Sequence, residues 1–157
     1  MIEVIVRGVP QGIDSFYSDI ENIPGIHYGG PYEDPDDLYD VYSEVSIVWA
    51  AGFHGKDSHV WQRSCRFYNS CSHQRPIISM IGTDEGEVIN KLGIGCCVDL
   101  NDLPGTIARI TQITQTELDT WHENLKKLPQ SVYIYSDEHA QLLNMCATLS
   151  NVPDRYE

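Results

Sequence analysis

RFYNSCSHQRPIISMIGTDEGEVINKLGIGCCVDL, residues 66–100, is the stretch whose reading decides the fold. A polar segment from about Ser64 to His73 has helical character. Pro76 then opens a short apolar run to Met80, which reads as a buried strand. The turn Gly82-Thr83-Asp84-Glu85-Gly86-Glu87 follows, GEVINKL reads as a brief helix, and GIGCCVDL as another strand. Helix, strand, helix, strand with short links is the signature of parallel strands joined by crossover helices.

The same alternation extends outward in both directions. Upstream, IEVIVRG is a β-rich run ending at Gly8, and GIDSFYSDI is a helix with Asp14 or Ser15 as its cap. IPGIHYGGPY is a second short strand. DPDDLYDVYSE is a helix with Asp34 as N-cap and Pro35 in the first helical position, Asp36 and Asp37 lying where the helix dipole favours negative charge. VSIVWAA is continuously apolar, as a strand buried on both faces requires. Downstream, NDLPGTIARI reads as a helix, and Thr114 with Glu117 forms a capping box that opens another. Leu118, Trp121, Leu125 and Leu128 give that helix one apolar stripe. A last helix starts near Ser136, with Leu142, Leu143, Cys146 and Leu149 expected to face inward. The expected fold is α/β: one Rossmann-like domain over residues 1–157, its parallel sheet covered by helices on both faces. Ligands of such sheets sit beyond the carboxyl ends of the strands.

Composition narrows the function. The 157 residues are 41% hydrophobic, enough for a core without metals or disulfides. A formal net charge of -13 disfavours non-specific binding to nucleic acid or to anionic membrane surfaces. No apolar stretch has the ~20 residues of a membrane span, and MIEVIVRGVP lacks a signal peptide's basic start. A soluble cytoplasmic protein is expected. The five cysteines, Cys65, Cys71, Cys96, Cys97 and Cys146, form no framework spacing and read as reduced thiols. Cys65, Cys71, His73 and His59 lack the spacing of a zinc site, and the Asp-x-Asp of DPDD is explained by a helix start; no metal is expected.

The charge is unevenly spread. From His54 to Pro76 stand Lys56, Arg63, Arg66 and Arg75 against the single acid Asp57, about +3, leaving about -16 elsewhere. His54, His59 and His73 lie in the same segment. It follows the VSIVWAA strand, so it begins at the ligand-binding edge, where helix N–H groups and arginines can hold phosphate. Surface pairing with the many carboxylates is the alternative. Three acids in the turn at 82–87 would repel phosphate, and that turn suits an uncharged group such as a sugar. No G-x-G-x-x-G follows the first strand, and there is no P-loop or G-x-S-x-G.

Residues 66–100 resemble the donor-binding half of GT-B fold retaining glycosyltransferases. Arg66, Phe67, Tyr68, Pro76, Ile77, Ile78, Thr83, Gly86 and Gly95 fall in matching places. IHYGGPYEDPDDLYDVYSEVSIVWA is similar to the same family's strand, glycine, short helix and strand, and the bacterial exopolysaccharide type matches best. The resemblance covers roughly residues 2 to 112. It implies a nucleotide-diphosphate sugar as donor, no metal or other cofactor, retention of anomeric configuration, and an N-terminal acceptor-binding domain or subunit as partner. Arg66, with Arg63 and the helix start at Ser64 and Cys65, would hold the diphosphate. Gly30, Pro31 and Tyr32 would border the base, Asn69 a ribose hydroxyl, and the turn from Thr83 to Gly86 the ribose or sugar.

Three departures stand against the pattern. The family's glutamate pair, eight residues apart, corresponds here to Trp61 and Asn69. Its small glycine two residues before the proline is Gln74. Its first strand and helix correspond to nothing after Met1. No catalytic residue is therefore assigned. A noncatalytic nucleotide- or sugar-binding module and a plain interaction domain stand as the competing readings.

Overall fold

The computed structural model describes residues 2–52, 60–134 and 138–150. His54, Lys56, Asp57, His59 and Ser136 lie outside that range, as does the Leu149 side chain.

Strands and helices alternate from the start: β1 (Val4–Val6), α1 (Phe16–Asn22), β2 (Ile26–Tyr28), α2 (Leu38–Ser43), β3 (Val48–Trp49), α3 (Cys65–Ser72), β4 (Ile77–Met80), α4 (Asp84–Leu92) and β5 (Gly95–Val98). Helices α5 (Leu103–Thr111), α6 (Gln115–Lys126) and α7 (Glu138–Ser150) follow, with a short 3-10 turn at Gln130–Val132. All paired strands are parallel, and the chain is α/β in the Rossmann-like sense.

The expected single sheet is instead two. β1 pairs with β2, and β3, β4 and β5 pair in that order. The break lies at the far edge of β3. Val48 and Ala50 donate their N–H groups toward β4, to Pro76 O and Ile78 O. At the alternating residue between them, Trp49, the carbonyl accepts from the Arg66 guanidinium at 3.2 Å, where a further strand would otherwise bond.

The three-stranded sheet separates two layers of core by side-chain alternation. Ile77 packs with Phe67, Cys71, Ile89, Ile94 and Leu125 on the face covered by α3 and α4. Ile78, Cys96 and Val98 pack with Trp121, Ile110, Ile113 and Leu118 on the face covered by α5 and α6. Helices therefore lie on both faces, as the alternation requires. Trp121 and Leu125 are buried, and the Thr114–Glu117 capping box forms as read.

Two helix readings need correction. α2 begins at Leu38, not after Asp34; ahead of it Asp37 N–H donates to Glu33 O and the Asp37 carboxylate accepts from Glu33 N–H. Residues 33–37 are thus a turn, and Asp37 is the cap. In α7, Leu142 and Leu143 are 60% and 70% exposed, and Cys146 is also exposed. Among the described residues, neither core cluster includes a residue of α7. Gln74, at the position where a glycine was expected, takes a left-handed φ of 55°. That conformation favours glycine, so the backbone demand persists although the residue has changed.

Among the described residues, no helix is long and apolar enough to cross a membrane. The cysteines divide by environment. Burial pushes the Cys71 thiol up to about 12, with the Glu85 charge adding to it, and burial pushes Cys97 up to about 11. Unfolding returns each toward 9.0, so the unfolded chain loses these protons first as pH rises. Stability from both thiols is complete below pH 9 and declines from there toward pH 11–12. The expected result is a lower urea midpoint at pH 10 than at pH 8. Iodoacetamide at pH 8 should modify exposed Cys65 and Cys146 while sparing Cys71; equal labelling of all three would contradict this burial.

Candidate functional site

A cleft opens beyond the carboxyl ends of β3 and β4. Ala50, Ala51 and Gly52 form one wall and Ser79 and Met80 another. The starts of two helices close it, with Gln62 and Ser64 before α3 and Thr83 and Glu85 at α4. Its enclosed room is about 20 Å³, enough for one water-sized group.

The local sequence builds this edge by capping. Ser64 has extended backbone, and its Oγ accepts from Phe67 N–H at 3.2 Å. Thr83 does the same for α4: its Oγ1 accepts from Gly86 N–H at 3.0 Å and donates to Met80 O at 2.9 Å. Each cap satisfies one N–H that the helix itself cannot. The two helix starts are then tied together by Glu85, which is 4% exposed. One of its carboxylate oxygens accepts from Ser79 Oγ at 2.8 Å, the other from Ser64 N–H at 2.7 Å.

Arg63 and Arg66 stand beside the cleft, and Arg75 lies at the opposite, amino end of β4. Arg63 Nε donates to Asp84 Oδ2 at 2.9 Å, and its guanidinium stands 5.7 Å from the Phe67 ring centroid. Arg66 bonds the Trp49 carbonyl at the break between the sheets, and Arg75 Nε donates to Tyr42 O. Tyr42 stacks on His73 with ring centroids 5.0 Å apart. Burial, then the nearby Tyr32 phenol, raises the Tyr42 pKa against the opposing pull of Asn69 and Arg66. Burial, then Arg75, lowers that of His73.

Among the residues singled out from sequence, Ser64 and Thr83 line the cleft, with Gly86 directly behind Thr83. Arg63 and Arg66 flank it on or before α3, Asn69 lies further along α3 facing Tyr42, and Cys65 is exposed and outside the lining. Gly30, Pro31 and Tyr32 follow β2. The Gly30 carbonyl accepts from Gly8 N–H, and Tyr32 lies near Gly8 and Tyr42. They belong to the other sheet's carboxyl edge and do not line the cleft.

Ser79 and Gln62 were not anticipated from sequence, and Glu85 only as part of the Thr83–Gly86 turn. A signal for Glu85 exists in the helical phase. With α4 starting at Asp84 rather than Gly86, Glu85, Ile89 and Leu92 fall at i, i+4 and i+7 on the core-facing side.

No protein-family model matches the chain. The chain is similar to the succinoglycan biosynthesis protein ExoL of Rhizobium meliloti (strain 1021), at 26% identity over 153 residues. That match takes in 94% of this chain and 38% of the relative, so the chain spans less than two fifths of the relative's length.

Proposed function

We propose that the chain serves exopolysaccharide biosynthesis as the donor-binding part of a GT-B fold retaining glycosyltransferase, taking a nucleotide-diphosphate sugar. The observation that carries this is the similarity, across 94% of the chain, to a protein named for succinoglycan biosynthesis. The cleft beyond the carboxyl ends of parallel strands supports it, since open α/β sheets hold their ligands there.

In this reading Arg66 releases the Trp49 carbonyl to take the diphosphate. An exposed neutral-acceptor bond is a small loss against a bidentate guanidinium–phosphate pair. Ser64 N–H is already given to Glu85, so Cys65 and Arg66 supply the first-turn N–H groups of α3. Arg63 adds positive charge from its Asp84 anchor. Gly30, Pro31 and Tyr32 border the base, Asn69 reaches a ribose hydroxyl, and Thr83 to Gly86 face the sugar. The chemistry asked of the site is positioning and stabilisation of the departing diphosphate. The acceptor is held by an N-terminal acceptor-binding domain or a separate subunit. Trp61 and Asn69, in place of a glutamate pair, favour a second reading in which the module binds donor without turnover.

Calorimetric titration with UDP, GDP and inorganic phosphate tests the proposal. Saturable binding of one nucleotide is expected, weakened about tenfold or more by Arg66→Ala, with phosphate much weaker. A folded protein that takes up neither nucleotide would refute the donor-site reading. Binding without transfer when an acceptor domain is supplied would select the noncatalytic one.

A further inference from the structure

We infer that the floor of the cleft is a hydroxyl-recognition subsite for a sugar ring, with Glu85 as the group that determines specificity. The inference rests on the donor-site reading only in expecting the sugar to arrive attached to a nucleotide. Glu85 is 4% exposed, and among the described residues no Lys, Arg or His lies within ion-pair distance of its carboxylate. Its two partners are a neutral hydroxyl and a backbone N–H. A carboxylate has about four acceptor positions, so roughly half remain for a ligand. Glu85 lines a space of about 20 Å³, the size of one hydroxyl or one water.

The other polar groups complete the fit. Ser64 Oγ already accepts from Phe67 N–H, which leaves its own proton to donate. The Gln62 amide lines the rim, makes no hydrogen bond to another described residue, and can both donate and accept. The set is rich in acceptors and bears a negative charge. It therefore suits neutral ligands that donate hydrogen bonds and rejects phosphate. Arg66, the guanidinium assigned to the diphosphate, bonds a carbonyl at the edge of β3 and is absent from this lining. The charged and uncharged parts of a sugar nucleotide thus have separate places. A site committed to a hydroxyl also discriminates strongly against the ligand that lacks it, because its buried acceptor is left unpaired.

The test is an amide-resolved NMR titration of the whole chain with four sets of probes. These are methyl glucoside, galactoside and mannoside; UDP and GDP; their glucose, galactose and mannose conjugates; and inorganic phosphate. Glu85→Gln and Gln62→Ala are titrated alongside. Sugar-bearing ligands should shift the Ser79 and Glu85 amides, and phosphate should not. Glu85→Gln should weaken a sugar conjugate about tenfold and leave the bare nucleotide unchanged, with Gln62→Ala weakening the conjugate less. If Glu85→Gln does not fold, Gln62→Ala carries the decision. Methyl glycosides that shift these amides when no nucleotide binds would uphold the subsite and remove the donor-site reading. Nucleotide binding to which the sugar adds nothing, in parent and variants alike, would overturn the subsite and leave that reading standing. So would phosphate shifts as large as the sugar's, or silence from every ligand at these amides.

Discussion

Gly95→Ala is expected to cost more than about 4 kcal/mol, enough to leave little folded protein at room temperature. Gly95 opens β5 directly opposite Ile77 of β4. A Cβ built on it would overlap the Ile77 carbonyl oxygen and stand 2.8 Å from both the carbonyl carbon and the nitrogen of that residue. The obstacle is main chain in the middle strand of the sheet, so no side-chain rotation relieves it. Relief requires β5 to move away from β4. That motion breaks the pairing of Ile78 with Cys96 and Met80 with Val98, and opens both core layers. Gly52→Ala is the control: among the described residues nothing lies within 4 Å of a Cβ there, and a change within about 0.5 kcal/mol is expected. Urea unfolding followed by circular dichroism reads both. A Gly95→Ala midpoint close to the parent's would mean that β4 and β5 do not approach as closely as described.

The need for a glycine at position 95 was partly legible, since Gly95 falls within the matched pattern. The reason was not: close approach of two main chains is a tertiary fact that composition does not carry. The same division runs through the molecule. Ser64, Thr83, Asp102 and Thr114 each cap a helix through a bond to a residue three positions on, and such local chemistry can be read from sequence. The alternation of Ile77 and Ile78 between two cores follows from strand geometry alone.

What failed depended on distant partners. The apolar residues of α7 have helical spacing, but spacing cannot say whether another surface meets that face, and Leu142 and Leu143 lie exposed. At the edge of β3, where the sheet ends, Arg66 reaches a carbonyl 17 positions away. Glu85 was read as one of three acids that repel phosphate. Its partners Ser79 and Ser64, 6 and 21 positions distant, make it instead the tie between two helix starts.

Phe67→Ala should be the second severe substitution, at about 3–5 kcal/mol. The ring is 0% exposed and packs among Ala50, Cys71, Ile77, Ile89, Ile94 and Leu125. Truncation removes the transfer free energy of an aromatic side chain and leaves a cavity whose walls come from β4, the residues flanking β3 and β5, and helices α3, α4 and α6, which cannot all close in. Leu143→Ser on exposed α7 changes a hydrophobic residue of similar standing in the sequence and should shift stability by no more than about 0.5 kcal/mol. The contrast reaches the site as well. Phe67 anchors the helix that carries Arg66 and Asn69, its N–H is the one that Ser64 Oγ caps, and its ring lies beneath the Arg63 guanidinium. If the donor-site proposal holds, a variant that still folds should therefore lose affinity for the proposed nucleotide although Phe67 lines no part of the cleft. Leu143→Ser should keep that affinity. Stability and affinity measured on the same two variants separate the roles. A Phe67→Ala protein that is destabilised yet binds as tightly as the parent would show that α3 holds its site residues without this anchor. A loss below about 1 kcal/mol would remove Phe67 from the core altogether.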